Sequence, residues 1–328
     1  MYIPRLIDRF PLAVVLPVKY YAAHLPLYPL LIHLFAPLFN YAKSMIFVNI
    51  ASTIGLALFF YYLVKQFNLT KRPTILTIVF LMLPRFLIIR SIGAPESLFI
   101  LLVLLSLFFF EKEKYLLSGL FGGLATMTKT PGILLFLTYL LFFTEKLFFE
   151  RSRESRLNRD RQTRTIKWNW LFILLIPVGL LLVFFFYQIQ YNDFFAYFHS
   201  GDNIHLVAPF AAFNSQNRWV GTAWLEDIIF YFFLYFLTTV SLKNIKYRSF
   251  FYFSLVFFIA TTLVQHRDIG RYSVPLWPMA CIALEKFFTS KKFLMALVIL
   301  LPAIYLYAWN FSLQNVMPVT EWQQFFSR

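Results

Sequence analysis

Arg85, Arg90 and Glu96 place three ionisable side chains within twelve residues of an otherwise apolar stretch. "PTILTIVFLMLP" (73–84) precedes them and "ILLVLLSLFFF" (100–110) follows. A charge at membrane depth costs at least ~2.5–3.5 kcal/mol on insertion scales, so such residues normally face a bundle interior or a polar cavity and carry function. Glu96 follows Pro95 at the start of an expected helix. The helix dipole and unpaired N–H groups would favour a carboxylate there, but that accounts for stability at an exposed end and not for a charge flanked by apolar residues. With Arg90 or Arg85 nearby, Glu96 is a candidate catalytic or positioning acid, and we expect it to share a cavity with Arg90. The two arginines point about 140° apart on a helix. They fit either snorkelling to headgroups, which serves Arg90 better than Arg85, or bidentate capture of a phosphate.

Three further stretches carry chemistry. "GLATMTKTPG" (123–132) sets Lys129 at a Thr-Pro-Gly break between two short apolar segments. It reads either as a snorkelling lysine at a turn or as a cation in a cavity below the surface. Gly119 and Gly123 form a small-xxx-small pattern suited to close helix packing. "HRDIGRYSVPLWP" (266–278) is the densest polar cluster between apolar spans, offering His266, Asp268, Arg271 and Tyr272. It suits an interfacial turn with an aromatic belt or an anion-binding, acid/base edge. In the loop 191–227, Asp202 and His205 have a spacing that could serve a metal, but two ligands without a third are a weak signal. A divalent metal is left open, with no cofactor assigned. "NFS" (310–312) matches the N-glycosylation triplet by chance alone unless a secretory context is supplied.

The elements that must position these residues are helices in a membrane. The 328 residues are 60% hydrophobic and 14% charged, against about 25% charged in an ordinary soluble domain. The mean hydropathy is +0.67. Spans are expected near 44–64, 74–91, 95–110, 115–128, 131–149, 168–190, 226–242, 249–265, 273–287 and 292–310, about ten in all. Residues 25–39 are too short and too Pro-rich for a span and are expected as an interfacial helix. The expected fold is all-α, a polytopic bundle in a single integral membrane domain over 1–328.

Charge sets the orientation. The net charge of +15 reflects topology, not nucleic-acid binding, because cytoplasmic loops collect Lys and Arg. Segment 150–167 carries seven basic and three acidic residues. The basic loops 65–73, 111–114, 243–249 and 286–292 alternate with the spans onto the same, cytoplasmic side. The outer side then receives 1–43, 91–95, 129–131, 191–225, 266–272 and the C-terminal tail, with all five histidines (His24, His33, His199, His205 and His266). The working face is expected to be the outer one. The lone Cys281 rules out an internal disulfide, and the first residues do not form a signal peptide.

These segments, taken in order, resemble the GT-C superfamily of membrane glycosyltransferases, in particular the PIG-V-type GPI mannosyltransferases and the bacterial RgtA/B/C/D-like proteins. "HLPLYPLLIHLF" (24–35), "GAPESLFILL" with "GGLATMTKTPGILL", "NDFFAYFHSGDN" and "DIGRYSVPLWPMACIAL" (268–284) carry the likeness, which covers most of the chain. The resemblance implies a helical bundle with an outer-leaflet cavity. It also implies transfer of a sugar, mannose among the candidates, from a polyprenyl- or dolichyl-phosphate donor, with membrane lipid as the other partner. Arg90, Lys129 and Arg271 would contact the phosphate. His24, Tyr28, His266, Asp268 and Tyr272 would line the substrate site. The family pattern begins with a spanning helix and an acid in the first outer loop. Here no span precedes that loop and Asp8 is its only early acid. The expectation is that the natural chain has an upstream helix, with Asp8 the candidate base otherwise. A transporter or flippase of a lipid-linked anion, and a noncatalytic glycosyltransferase-like subunit, are the rival readings. The location is a multi-pass protein of the cell membrane, or of the endoplasmic reticulum membrane in a eukaryote.

Overall fold

The computed structural model describes residues 22–157, 168–200, 206–214, 225–266 and 268–314. Asp8, Asp202, His205, Arg267 and most of the basic segment 150–167 lie outside them. Among the described residues the chain is helical, its only β pairing an isolated bridge between Leu206 and Val264. The helices are α1 (Leu27–Gln66), α2 (Pro73–Leu81), α3 (Pro84–Ile89), α4 (Glu96–Glu111), α5 (Tyr115–Thr128) and α6 (Leu134–Leu157). They continue with α7 (Leu175–Tyr191), α8 (Ala196–His199), α9 (Leu225–Ser241), α10 (Arg248–Thr262) and α11 (Ile269–Tyr272). The last are α12 (Trp277–Ala283), α13 (Glu285–Phe288) and α14 (Lys291–Gln314).

Four segments among the described residues are long and apolar enough to cross a membrane: Leu27–Gln66, Thr130–Leu147, Trp168–Tyr191 and Lys291–Phe311. Of the other six expected spans, 95–110, 115–128, 226–242 and 249–265 are single helices of 14–17 residues, and the remaining two are broken near proline. The expected span 74–91 is two helices parted at Met82–Leu83, because Pro84 drives the residue before it out of the α region. The expected span 273–287 is broken around Pro275 and Pro278 into a 3-10 turn and two short helices. α1 contains the expected division between an interfacial segment and a span. Asn40 interrupts it with φ 59° and ψ 170°, three residues after Pro37, and Asn40 Oδ1 accepts the Lys43 N–H at 3.1 Å to restart the helix.

The interior is aromatic. Phe110 stacks on Tyr139 at 3.9 Å, Phe143 on Trp170 at 4.2 Å, and Phe60 on Phe80 at 4.6 Å. The predicted small-residue face of α5 is used. A Cβ at Gly119 would lie 2.0 Å from the Phe172 carbonyl oxygen, and one at Gly179 would lie 2.7 Å from that of Gly123. No larger residue fits where α5 crosses the 168–191 segment. The outside is apolar too. None of the most apolar stretch of α14 is buried, and Phe230, Phe233, Phe236 and Leu237 of α9 are exposed. Long apolar helices with apolar outer faces are the features of a membrane protein, since in water such faces would need a cover.

Candidate functional site

Glu96 opens α4 and is completely buried. Its neighbours are fixed by a strap across α1. Asn49 Nδ2 donates to the carbonyls of Ile89 (2.9 Å) and Ile92, and Thr53 Oγ1 donates to Ser97 Oγ at 2.8 Å. Asn49 and Thr53 lie four apart and so share one face of α1. That spacing, within "VNIAST", is the signal by which these positioning residues could have been found. Gly93 completes the turn, since a Cβ there would collide with the Met45 side chain.

Two cations reach Glu96 from distant parts of the chain. Lys129 terminates α5 in an extended conformation, and its Nζ donates to Glu96 Oε1 at 2.8 Å. The break at Lys129 depends on Gly132. A Cβ there would sit 2.5 Å from the Thr126 backbone nitrogen, so the 3-10 turn after Lys129 can fold onto the end of α5 only with glycine. Arg271, in the four-residue α11, donates from Nε to the same Oε1 at 2.7 Å. Glu96 Oε2 is buried and has no hydrogen-bond partner among the described residues. The side chain of Glu96 is 1% exposed, that of Lys129 19% and that of Arg271 32%. The carboxylate is therefore innermost and the cations stand between it and the surface. Arg271 keeps both terminal Nη groups and Lys129 two N–H groups beyond their bonds to Glu96.

A second pair lies alongside. Arg85 bonds Asp268 and places its guanidinium 4.5 Å from the Phe311 ring centre. Asp268 is also within electrostatic range of Arg271. The Asp268 backbone N–H donates to His266 Nδ1 at 2.8 Å, so a neutral His266 carries its proton on Nε2. His266 packs edge-on against Tyr272 with centroids 5.1 Å apart, and Lys129 Nζ lies 5.6 Å from that ring. Tyr28 is buried within electrostatic range of Glu96 and donates to the Met45 carbonyl at 3.1 Å.

The structure therefore brings together Glu96, Lys129, Arg271, Asp268, His266 and Tyr272, with Tyr28 close by. One expectation is corrected. Arg90 caps α3 and has no carboxylate at ion-pair distance among the described residues; Lys129 and Arg271 take its anticipated place beside Glu96. Arg85, the arginine less suited to snorkelling, is the one in an ion pair, with Asp268. The physical reason is connectivity. The α3 C-terminus is held by Asn49, while the α11 turn descends onto Glu96. His24 lies at the surface, its carbonyl accepting from Tyr187 OH at 3.2 Å within a separate packing cluster. Asp8 is outside the described residues, as are the two candidate metal ligands Asp202 and His205. Among the described residues no three His, Cys, Asp or Glu side chains converge.

Lys129, Arg271 and Arg85 set against Glu96 and Asp268 leave one net positive charge, and the remaining donors of Lys129 and Arg271 are on the accessible side. The Arg271 Nη groups have no partner among the described residues, and a guanidinium matches a phosphate or carboxylate in geometry. No protein-family model, curated protein or solved structure matches this chain.

Proposed function

We propose that the chain is an integral membrane glycosyltransferase of GT-C type. In this reading its helices form about ten passes, and the Glu96 cluster faces the extracytoplasmic side. The observation that carries the proposal is the buried Glu96 holding Lys129 and Arg271 with their remaining donors outward. The donor is a sugar on polyprenyl or dolichyl phosphate. An acceptor hydroxyl attacks the anomeric carbon, the bond from that carbon to the phosphate oxygen breaks, and the lipid phosphate departs with added negative charge. Lys129 and Arg271 stabilise that charge as it develops, from positions fixed by the buried Glu96. Glu96 orients the two cations. The hydroxyl proton goes to a carboxylate.

The test is direct incubation of the purified protein with radiolabelled polyprenyl-phosphate sugars and candidate acceptors. Transfer of label, lost in Arg271→Ala, is the expected result. Arg271→Lys should lower turnover more than donor binding, because the planar fork is lost. Movement of the lipid-linked sugar across a proteoliposome bilayer without transfer would replace the enzyme with the flippase reading. Orientation is read separately in a Cys281→Ala background. A cysteine at exposed Phe198 should react with an impermeant thiol reagent in intact cells, and one at Asn244 should not.

A further inference from the structure

The other end of α4 leads to a second charged region. Glu111 closes α4, about 22 Å along the helix from Glu96, and its Oε1 accepts the Ser249 N–H at 2.8 Å. Beside it, between α6 and the turn joining α9 to α10, lies an open cavity of about 430 Å³ lined by Glu145, Lys243, Asn244, Ile245 and Arg248. Arg248 is not the free cation here. It grips Glu145 with two bonds, Nη2 to Oε1 at 2.6 Å and Nε to Oε2 at 3.0 Å, and also donates to the Lys243 carbonyl. Its guanidinium lies over Phe251 at 4.7 Å and Tyr252 at 5.2 Å. Glu145 is thereby neutralised, and Lys243 remains as an exposed charge at the rim, with the exposed Asn244 amide as a further donor.

The flanks extend this pattern. Lys146 lies 5.6 Å from the Trp170 ring centre, and Lys246 5.6 Å from that of Tyr247. Exposed apolar side chains stand one to two turns along each adjoining helix from the cavity residues: Leu137 and Leu141 on α6, and Leu237 and Val240 on α9. Cations, an amide, interfacial aromatics and two apolar helix faces together match an amphiphile with an anionic head and acyl chains. A soluble anion would use only the first two. Basic pockets between helices at a membrane surface bind anionic headgroups by this combination.

The geometry points to a phospholipid site: the cavity lined by Glu145, Lys243, Asn244 and Arg248 receives the phosphate of an anionic phospholipid, whose chains lie along α6 and α9. This site does not depend on the glycosyltransferase reading, since it uses neither Glu96 nor its partners.

Native mass spectrometry of the full chain in detergent tests it, with phosphatidylglycerol and phosphatidylcholine of identical acyl chains added at equal concentration. Each lysine near an anionic headgroup favours binding, so retention of phosphatidylglycerol should exceed that of phosphatidylcholine roughly tenfold. Lys243→Gln/Lys246→Gln should bring the ratio close to one without altering the thermal midpoint, because both side chains are exposed. Lys65→Gln/Lys112→Gln, which changes cations outside the cavity lining, should leave the preference intact. Equal retention of the two lipids overturns the proposal, as does an undiminished preference in the Lys243/Lys246 variant. An equal loss in the Lys65/Lys112 variant also overturns it, since the effect would then be general surface charge. Glycerol 3-phosphate should fail to displace the lipid; full displacement would mark a soluble-phosphate site and overturn the lipid assignment.

Discussion

Two glutamate–arginine contacts, Glu96–Arg271 at the start of α4 and Glu145–Arg248 between α6 and α10 beside its end, differ in kind. At Glu145 both carboxylate oxygens face one guanidinium, with side chains 21% and 27% exposed. The pair is geometrically complete and clamps α6 to α10. At Glu96 one oxygen takes two cations, the other takes none, and the carboxylate is sealed from the surface. A buried carboxylate must be compensated, and one oxygen with two cations does so while leaving the cations' remaining donors to a ligand. The same residue types therefore make a structural clamp where oxygens and donors are matched, and leave cation donors unused where they are not.

The largest effect expected from this contrast is at Glu96. Glu96→Ala leaves Lys129 and Arg271 together without their anion and should destabilise the protein by ~3–5 kcal/mol, measured by thermal or denaturant unfolding in detergent. A loss no larger than that of a surface pair would erase the distinction between the two contacts. Next comes Gly132→Ala. The added methyl meets the Thr126 backbone, and a strain of ~1–3 kcal/mol is expected, with turnover falling further because Lys129 is displaced. Retained stability with full activity would show that the turn carries Lys129 by other means.

A double-mutant cycle sharpens the assignment of partners. Glu96→Gln combined with Arg271→Met should depart from additivity by ~0.5–3 kcal/mol, while Glu96→Gln combined with Arg90→Met should be additive within about 0.5 kcal/mol. Coupling to Arg90 instead would make Arg90, not Arg271, the partner of Glu96. The smallest effect is at the other contact. Arg248→Gln should cost ~0–1 kcal/mol, as for other partly exposed pairs, and leave the proposed sugar transfer unchanged. A loss matching that of Glu96→Ala would make the two contacts equivalent.

Several features of this site were legible before any fold was known. Glu96 and Lys129 stand out because each interrupts an apolar run, and the break at Lys129 is written in "TKTPG". The crowding of Gly119 against a neighbouring helix follows from its spacing with Gly123. Other features were not legible. Arg85 and Asp268 are 183 residues apart, and no local pattern connects them. The loss of continuous spans at 74–91 and 273–287 was signalled by Pro84, Pro275 and Pro278, but hydropathy averages over such breaks and reads on as one span.

Composition and periodicity are one-dimensional properties. By themselves they determined that the chain is helical and apolar, and that its rare charges in apolar surroundings mark a place of consequence. Which charge meets which is a matter of helix rotation and of how far each broken segment descends, settled by packing among residues distant in sequence. Arg90 is six residues from Glu96 and does not pair with it, whereas Arg271 is 175 residues away and lies at 2.7 Å. Only the tertiary structure could decide that, because a 1/r attraction in a low-dielectric interior is set by distance in space, which the α11 turn closes and the strap at Asn49 holds open.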